Sequence, residues 1–147
     1  MDDLLERYPT KNVAGLLNNA GVILSGPIET QPFHYVLRQF EVNLFGQVRV
    51  TQALLPYVRR NASTLGGRVV NLVSIAGRIS SDLIGAYSAS KHSMEAVTDS
   101  LRREVRKFNV SVSAIEPGTP LDAVYAAGDW TNQCRIRADS PLGRPGP

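Results

Sequence analysis

Hydrophobic residues in this chain form three short runs separated by two longer amphipathic stretches. The run at 13–18 is almost continuously apolar, the run at 68–73 is apolar except for Arg68 and Asn71, and the run at 110–115 alternates as VSVSAI. Runs of about 4–8 such residues predict β-strands. The stretches between them repeat apolar residues every three or four positions, which predicts helices. The predicted order is therefore strand, helix, strand, helix, strand.

The two predicted helices are long enough to cross over a sheet. The first begins at about Gln31 or Tyr35 and ends at Arg60, with a break or bend near Pro56, because proline lacks a backbone N–H. The second runs from about Tyr87 to Asn109. Its apolar face is formed by Met94, Val97, Leu101, Val105 and Phe108. This order predicts a parallel sheet with right-handed crossovers, which is half of a doubly wound α/β fold.

A serine, a tyrosine and a lysine have the most distinctive spacing in the chain. Tyr87 and Lys91 are four residues apart on a predicted helix and therefore lie one turn apart on the same face. A free phenol, with a pKa of about 10, is a weak base near neutral pH, and a nearby cation favours its phenolate form. Ser74 lies thirteen residues before Tyr87, after a predicted strand, and can donate to a substrate oxygen. Together they predict a carbonyl-reducing or alcohol-oxidising centre.

Each of these residues also has an ordinary structural interpretation. A tyrosine and a lysine at this spacing are most often a surface pair on a helix, and a serine after an apolar strand is usually a turn residue. Asn43, an amide among apolar neighbours in the first helix, can be a satisfied helix asparagine. The functional interpretation gains support only from further features in the right order.

Two more strand ends are followed by small or turn-forming residues. The first strand ends in NNAG at 18–21, and the last runs into Glu116-Pro117-Gly118. Both sequences predict loops that need a permissive backbone. In open α/β sheets, ligands bind at loops that follow the carboxyl ends of the strands.

With these motifs in order, the chain resembles the short-chain dehydrogenase/reductase family over roughly residues 10–120. The stretch SLRREVRKFNVSVSAIEPG is most similar to the retinol and hydroxysteroid dehydrogenase branch. The resemblance implies a partial Rossmann-type fold. It rests on NNAG at 18–21, FEVNLFG at 40–46, VSIAG at 73–77, YSASK at 87–91 and IEPG at 115–118.

The resemblance implies a catalytic role for four residues. Tyr87 is expected to be the general acid/base, and Lys91 the cation that favours its phenolate and a donor to the nicotinamide ribose hydroxyls. Ser74 is expected to polarise the carbonyl, and Asn43 to hold a water in a proton relay. The implied activity is NAD(P)-dependent hydride transfer between nicotinamide and an alcohol or carbonyl substrate, possible in either direction.

The resemblance also implies how NAD or NADP is bound. Asn19, Ala20 and Gly21 are expected to line the adenosine side of the cofactor, while Pro117 and Gly118 border the nicotinamide. Tyr87 and Lys91 contact the cofactor as well. The sequence does not distinguish NAD from NADP.

The chain departs from the family pattern at both ends. The glycine-rich turn that holds the cofactor pyrophosphate on a helix N-terminus is absent, so residues 1–118 are interpreted as a partial domain. Residues 119–147 resemble nothing in the family and are expected to form a divergent, irregular tail. Thr119 has the wrong spacing for the family threonine that contacts the carboxamide.

Composition restricts the other functional classes. The 147 residues are 43% apolar and 20% charged, and no apolar run is long enough to predict a membrane span. His34, His92 and the lone Cys134 do not predict a metal site, and one cysteine suits a reducing compartment such as the cytoplasm. The net charge of +3 is modest, and the basic helix residues are mixed with glutamates, so no nucleic-acid surface is predicted.

Three functional interpretations remain open from the sequence. The first is an NAD(P)-dependent enzyme. The second is a catalytically incompetent relative that acts as a self-association or partner-binding module, and the third is a truncated product that folds poorly. The strand at 13–18 is expected to be an exposed edge. The two long helices are expected to mediate homo-oligomerisation, as they commonly do in the family.

Overall fold

The computed structural model describes residues 13–118 and 135–137. Within them, four strands and three α-helices follow one another in an α/β arrangement. The strands are β1 (Gly15–Asn18), β2 (Gly67–Leu72), β3 (Val110–Glu116) and β4 (Arg135–Arg137). The helices are α1 (Phe33–Phe40), α2 (Gln47–Leu65) and α3 (Gly85–Val105). A π-helical segment, Glu41–Gly46, joins α1 to α2.

The strands form one sheet in the order β1-β2-β3-β4. The first three are parallel, and Val69 of β2 lies opposite both Leu16 of β1 and Val112 of β3. This confirms the predicted partial doubly wound α/β fold. β1 forms one edge of the sheet that the described residues build, and its Leu17 side chain is 60% exposed.

The sequence did not predict β4, which pairs antiparallel with β3 and places Ile136 opposite Ile115. The expectation of an irregular tail therefore does not hold for Arg135–Arg137. The rest of the tail, including Thr119 and Cys134, lies outside the described residues. Three-residue strands give too weak a periodicity to be recognised in a sequence.

The main core lies between one face of the sheet and the two long helices. Leu16, Val69 and Val112 project from three neighbouring strands onto Val58 of α2 and Val105 of α3. A second cluster, Val73, Met94 and Ala114, continues this core toward the carboxyl ends of the strands. The predicted apolar face of α3 packs in these clusters, as the spacing of its residues indicated. The helices are thereby fixed against the sheet at the end where the candidate site lies.

The helices differ from the predictions in two respects. α2 continues through Pro56 to Leu65 and is not broken there, although it does begin after the π-helical segment. α3 starts two residues before Tyr87 and ends at Val105, followed by a 3₁₀ turn. Asn109 closes that turn with a left-handed φ of 55° and donates from its side chain to the Ala62 carbonyl at 2.7 Å.

Candidate active site

Ser74 occupies the turn after β2, as predicted. Its Oγ accepts a hydrogen bond from the Ala76 N–H at 3.1 Å and caps the 3₁₀ turn Ile75–Gly77. The side chain is half-buried. A serine hydroxyl that accepts one bond retains its own proton to donate. Ser74 is therefore both held in place and chemically able to bind a further oxygen.

Tyr87 and Lys91 lie in the first two turns of α3. The Lys91 Nζ is 5.8 Å from the centroid of the Tyr87 ring and donates to the Leu72 carbonyl at 3.0 Å. Lys91 is only 4% exposed, and burial lowers the pKa of its ammonium group to about 8. The structure thus places a buried amine beside the phenol ring, with the end of β2 as its hydrogen-bond partner.

Asn43 lies at the centre of the π-helical segment and is fully buried. Its Oδ1 accepts from the Val22 N–H at 2.8 Å, and its Nδ2 donates to the Val22 carbonyl and the Ser90 Oγ, each at 2.9 Å. The Ser90 hydroxyl in turn donates to the Tyr87 carbonyl at 2.7 Å. Asn43 therefore connects the loop after β1 with the helix that carries Tyr87. A π-helical turn at a functional position is a recurrent feature of helices.

Gly21 brings the NNAG segment to these side chains. A Cβ atom placed on Gly21 would lie 3.6 Å from both Asn43 Oδ1 and Lys91 Nζ. Asn19 and Ala20 are exposed beside it. The backbone of Gly21 is therefore the point where the first predicted cofactor loop meets the predicted catalytic residues.

Pro117 and Gly118 follow β3 and are half-buried. The Pro117 carbonyl accepts from the Ile75 N–H at 2.9 Å, directly after Ser74. Two groups of predicted site residues thus emerge: Ser74 with Pro117, and Lys91 with Tyr87, Gly21 and Asn43. The turn Ile75–Gly77 packs against α3 and joins the two groups, since a Cβ on Gly77 would lie 3.2 Å from the Lys91 carbonyl.

Two buried glutamines that the sequence analysis did not single out hold the same loop as Asn43. Gln47 Nε2 donates to the Ala20 carbonyl at 2.6 Å, and Gln39 Oε1 accepts from the Leu24 N–H at 3.0 Å. With Asn43 they form an amide ladder, three side chains spaced four residues apart that bind alternate residues of the loop. The i, i+4, i+8 spacing of three amides was the available signal, since it places them on one helix face.

A second network missed by sequence analysis runs from α2 to α3 along the face of the sheet that the helices cover. Asn18 donates to Thr51 Oγ1 and Asn71 Oδ1, and Asn71 donates to Thr98 Oγ1, each at 2.8 Å. Asn18 and Asn71 lie opposite each other on β1 and β2. Buried amides satisfied in this way fix the register of the strands that lead into the site.

Comparison with known proteins identifies the family to which this arrangement belongs. A model of short chain dehydrogenases matches residues 1–127. The chain belongs to the short-chain dehydrogenase/reductase family. It is 45% identical to mouse retinol dehydrogenase 16 over 126 residues, which cover 83% of this chain and 37% of that protein. It is 40% identical to bovine mitochondrial D-beta-hydroxybutyrate dehydrogenase over 120 residues, which cover 82% of this chain and 34% of that protein.

Solved structures of the family show the same fold. A short-chain dehydrogenase from Streptomyces avermitilis superposes with a TM-score of 0.73 at 37% identity, covering 81% of this chain and 43% of that one. A Burkholderia cenocepacia short chain dehydrogenase in complex with NADP gives 0.72 at 26% identity, covering 84% and 53%. The chain spans between about a third and a half of the curated relatives that it matches. The predicted family is confirmed, and the similarity to a retinol dehydrogenase agrees with the predicted branch.

Proposed function

We propose that this family member takes part in NAD(P)-dependent hydride transfer between a nicotinamide and an alcohol or carbonyl substrate. The observation that carries the proposal is the buried Lys91 Nζ, which lies between the Tyr87 ring, the Leu72 carbonyl and the backbone of Gly21. Relatives described as dehydrogenases and reductases, and neighbours solved with NADP, NADH or NAD+, support it.

The residues present fit part of a nicotinamide nucleotide, without the glycine-rich turn for its pyrophosphate. Lys91 has three N–H donors, one of which binds Leu72, and its remaining donors suit ribose hydroxyls. Gly21, without a side chain, allows the close approach of a ligand to the Lys91 amine. We assign Asn19, Ala20 and Gly21 to the adenosine side. Tyr87, Lys91, Pro117 and Gly118 are assigned to the nicotinamide ribose and the ring.

The chain's own residues handle the proton while the cofactor, when bound, supplies the hydride chemistry. Tyr87 exchanges a proton with the substrate oxygen, and Ser74 donates a hydrogen bond to that oxygen. Lys91 supplies a positive charge beside the phenol ring. The relay water expected at Asn43 has the second lone pair of Oδ1 to bind, because the side-chain amide already bonds to Val22 and Ser90. A water bound there would return the proton to solvent. A positioned acid/base of this kind contributes about 10²–10⁴-fold in rate.

Exposed apolar side chains beside the first turn of α3 support an apolar substrate, such as a retinoid- or steroid-like alcohol. Ile28 is 69% exposed and Leu83 is 54% exposed. The Leu83 carbonyl accepts from the Gly26 N–H at 2.7 Å, and a Cβ on Gly85 would lie 3.5 Å from Ile28 Cδ1. These side chains therefore lie next to the turn that carries Tyr87.

A groove between the two long helices supports homo-oligomerisation through them. It has a volume of about 310 Å³ and is lined by Val48 and Leu55 of α2 and by Val97 and Leu101 of α3. No helix in the described part of the chain is long and apolar enough to cross a membrane. We place the protein in the cytoplasm on the strength of its single cysteine alone.

Thermal unfolding with NADH and with NADPH tests the proposed cofactor. A ligand at 100 times its dissociation constant adds about 2.7 kcal/mol to a folded state that binds it. We expect a cooperative transition whose midpoint rises with one of the two nucleotides and rises less with ADP-ribose, which lacks the nicotinamide. An unchanged midpoint with both nucleotides would contradict the proposal.

A further inference from the structure

One arginine bridges two buried glutamates next to the candidate site. Arg78 Nη2 lies 2.5 Å from Glu95 Oε2 and 3.0 Å from Glu116 Oε1, and Arg78 Nε lies 3.2 Å from the same Glu116 oxygen. The glutamate side chains are 7% and 1% exposed, while that of Arg78 is 31% exposed. Both carboxylates are therefore removed from solvent and share one partly exposed guanidinium.

Each member of this cluster is attached to a segment that carries a candidate site residue. Arg78 directly follows the 3₁₀ turn that Ser74 caps. Glu95 lies one turn beyond Lys91 on α3. Glu116 is the last residue of β3 and immediately precedes Pro117. The cluster thus connects the turn after β2, the tyrosine helix and the end of β3 through a single side chain.

The chemistry of the cluster favours fixed geometry over stability. Replacing a buried ion pair by apolar residues of similar volume is often neutral or stabilising, so such pairs are weak evidence for a stabilising role. A planar guanidinium can hold two carboxylates in defined directions, which a flexible ammonium cannot do. The hydrogen bond that Arg78 donates to Glu116 and the charge of Glu95 raise the pKa of Arg78 against the opposing effect of burial.

We propose that Arg78 is a positioning residue, which holds the Ser74 turn in register with the Tyr87–Lys91 helix and the Pro117–Gly118 segment by bridging Glu95 and Glu116. Its catalytic consequence rests on the function proposed above. The positioning itself does not, because it is a property of the backbone segments that the bridge connects.

Amide hydrogen exchange of the full chain, with resolution by residue, tests the positioning in the Arg78→Lys variant. This variant keeps the charge and removes the planar fork. We expect the amides of Ile75, Gly77 and Arg78, which bind Pro117, Ser74 and Ile75, to exchange about tenfold faster. The amides of Val69 and Val112 in the sheet should keep their rates. Unchanged exchange in the turn of a folded Arg78→Lys variant would overturn the proposal.

The matched control is Arg102→Lys, on the helix α3 that also carries Glu95. Arg102 binds Asp99 and the Val112 carbonyl, and so ties α3 to the middle of β3. Faster exchange of the Ser74 turn in this control, to the same extent, would also overturn the proposal. If Arg78→Lys does not fold, Glu95→Gln replaces it, since it leaves the Arg78–Glu116 bonds intact and removes one of two buried carboxylates. Gly77 and Arg78 amides must then exchange faster.

Turnover separates this inference from the proposed function. If the chain catalyses hydride transfer, Arg78→Lys should lower kcat about tenfold with little change in the KM for the nucleotide. A lower kcat that is matched in Arg102→Lys would contradict the proposal. If the unmodified chain binds no nucleotide and has no turnover, the proposed function fails, and the exchange rates of the turn still decide whether Arg78 positions it.

Discussion

Two segments that follow the carboxyl ends of neighbouring strands are held in place by different kinds of interaction. The loop after β1 is held by the neutral amide ladder of Gln39, Asn43 and Gln47, which binds alternate residues from Ala20 to Leu24. The turn after β2 is held by charges, through the Arg78 cluster. Both segments carry residues of the candidate site.

The difference follows from the position of Lys91. Its ammonium group lies beside Gly21 and Asn43, and burial lowers its pKa to about 8. A carboxylate at the position of Asn43 would favour the charged lysine and compete for it as an ion-pair partner. Neutral amides hold the nearby loop without doing so. The nearest carboxylate on α3 in the Arg78 cluster is that of Glu95, one helical turn after Lys91, and Arg78 binds it.

The largest effect on stability should come from Arg78→Met. Removing the guanidinium takes a shared cation away from two buried carboxylates, and breaking a buried ion pair in this way destabilises by about 3–5 kcal/mol. Urea denaturation measures the free energy of unfolding. The control is Arg49→Met, since Arg49 and its partner Glu41 are exposed, with side-chain exposures of 65% and 47%, and should contribute less than about 1 kcal/mol. Equal losses of unfolding free energy in Arg78→Met and Arg49→Met would contradict the claim that the buried Arg78 cluster holds its turn more strongly than an exposed ion pair does.

The amide ladder is tested by Asn43→Ala. The variant leaves the Val22 N–H and carbonyl without this partner and removes one of the two hydrogen bonds of the Ser90 hydroxyl. We expect a loss of about 2–4 kcal/mol in the free energy of unfolding. Gln52→Ala, an exposed amide on α2, serves as the control. Because the ladder is neutral, the loss should be the same at pH 6 and pH 8. A loss below about 0.5 kcal/mol would show that water replaces the side chain.

A smaller effect of opposite sign is expected from Lys91→Met. Because the pKa of Lys91 is about 8 in the folded chain and 10.5 as its ordinary value, the unfolded chain binds more protons between these values, and stability rises with pH there. Below about pH 8 the buried charge destabilises the fold. Removing this charge should therefore stabilise Lys91→Met relative to the unmodified chain by about 1–3 kcal/mol more at pH 7 than at pH 10.5. Loss of the Lys91 hydrogen bond to the Leu72 carbonyl adds a cost that does not depend on pH.

Exposed Lys107 provides the matched lysine-to-methionine control. Lys107→Met should change the free energy of unfolding at pH 7 by less than about 0.5 kcal/mol, because it removes no buried group. A stability difference between Lys91→Met and the unmodified chain that stays the same from pH 7 to pH 10.5 would contradict the account of a costly buried charge.

The features that sequence analysis predicted correctly are those that depend on residues close together in the sequence. The three parallel strands and both long helices follow from apolar spacing, and the positions of Ser74, Tyr87 and Lys91 follow from motifs in which neighbours are close in sequence. The assigned roles of these residues remain predictions. Spacing along the sequence was sufficient because Ser74 follows the end of a strand, and Tyr87 and Lys91 lie one turn apart on a single helix.

The missed features depend on contacts between distant residues. Arg78 meets Glu95 and Glu116 across 17 and 38 positions, and no local pattern indicates that pairing. The π-helical segment could not be predicted either. Its central residue, Asn43, bonds to Val22, which lies 21 residues earlier in the sequence. The short β4 strand likewise exists only through its pairing with β3.

The most direct test of the central claim is turnover of alcohol and carbonyl substrates by Tyr87→Phe, with Tyr57→Phe as the control. Tyr57 lies on α2, where its ring contacts Arg60. The account predicts that Tyr87→Phe loses about 10²–10⁴-fold in kcat while its nucleotide-dependent rise in melting temperature persists, and that Tyr57→Phe keeps both. A Tyr87→Phe variant with the turnover of the unmodified chain would contradict the assignment of Tyr87 as the acid/base.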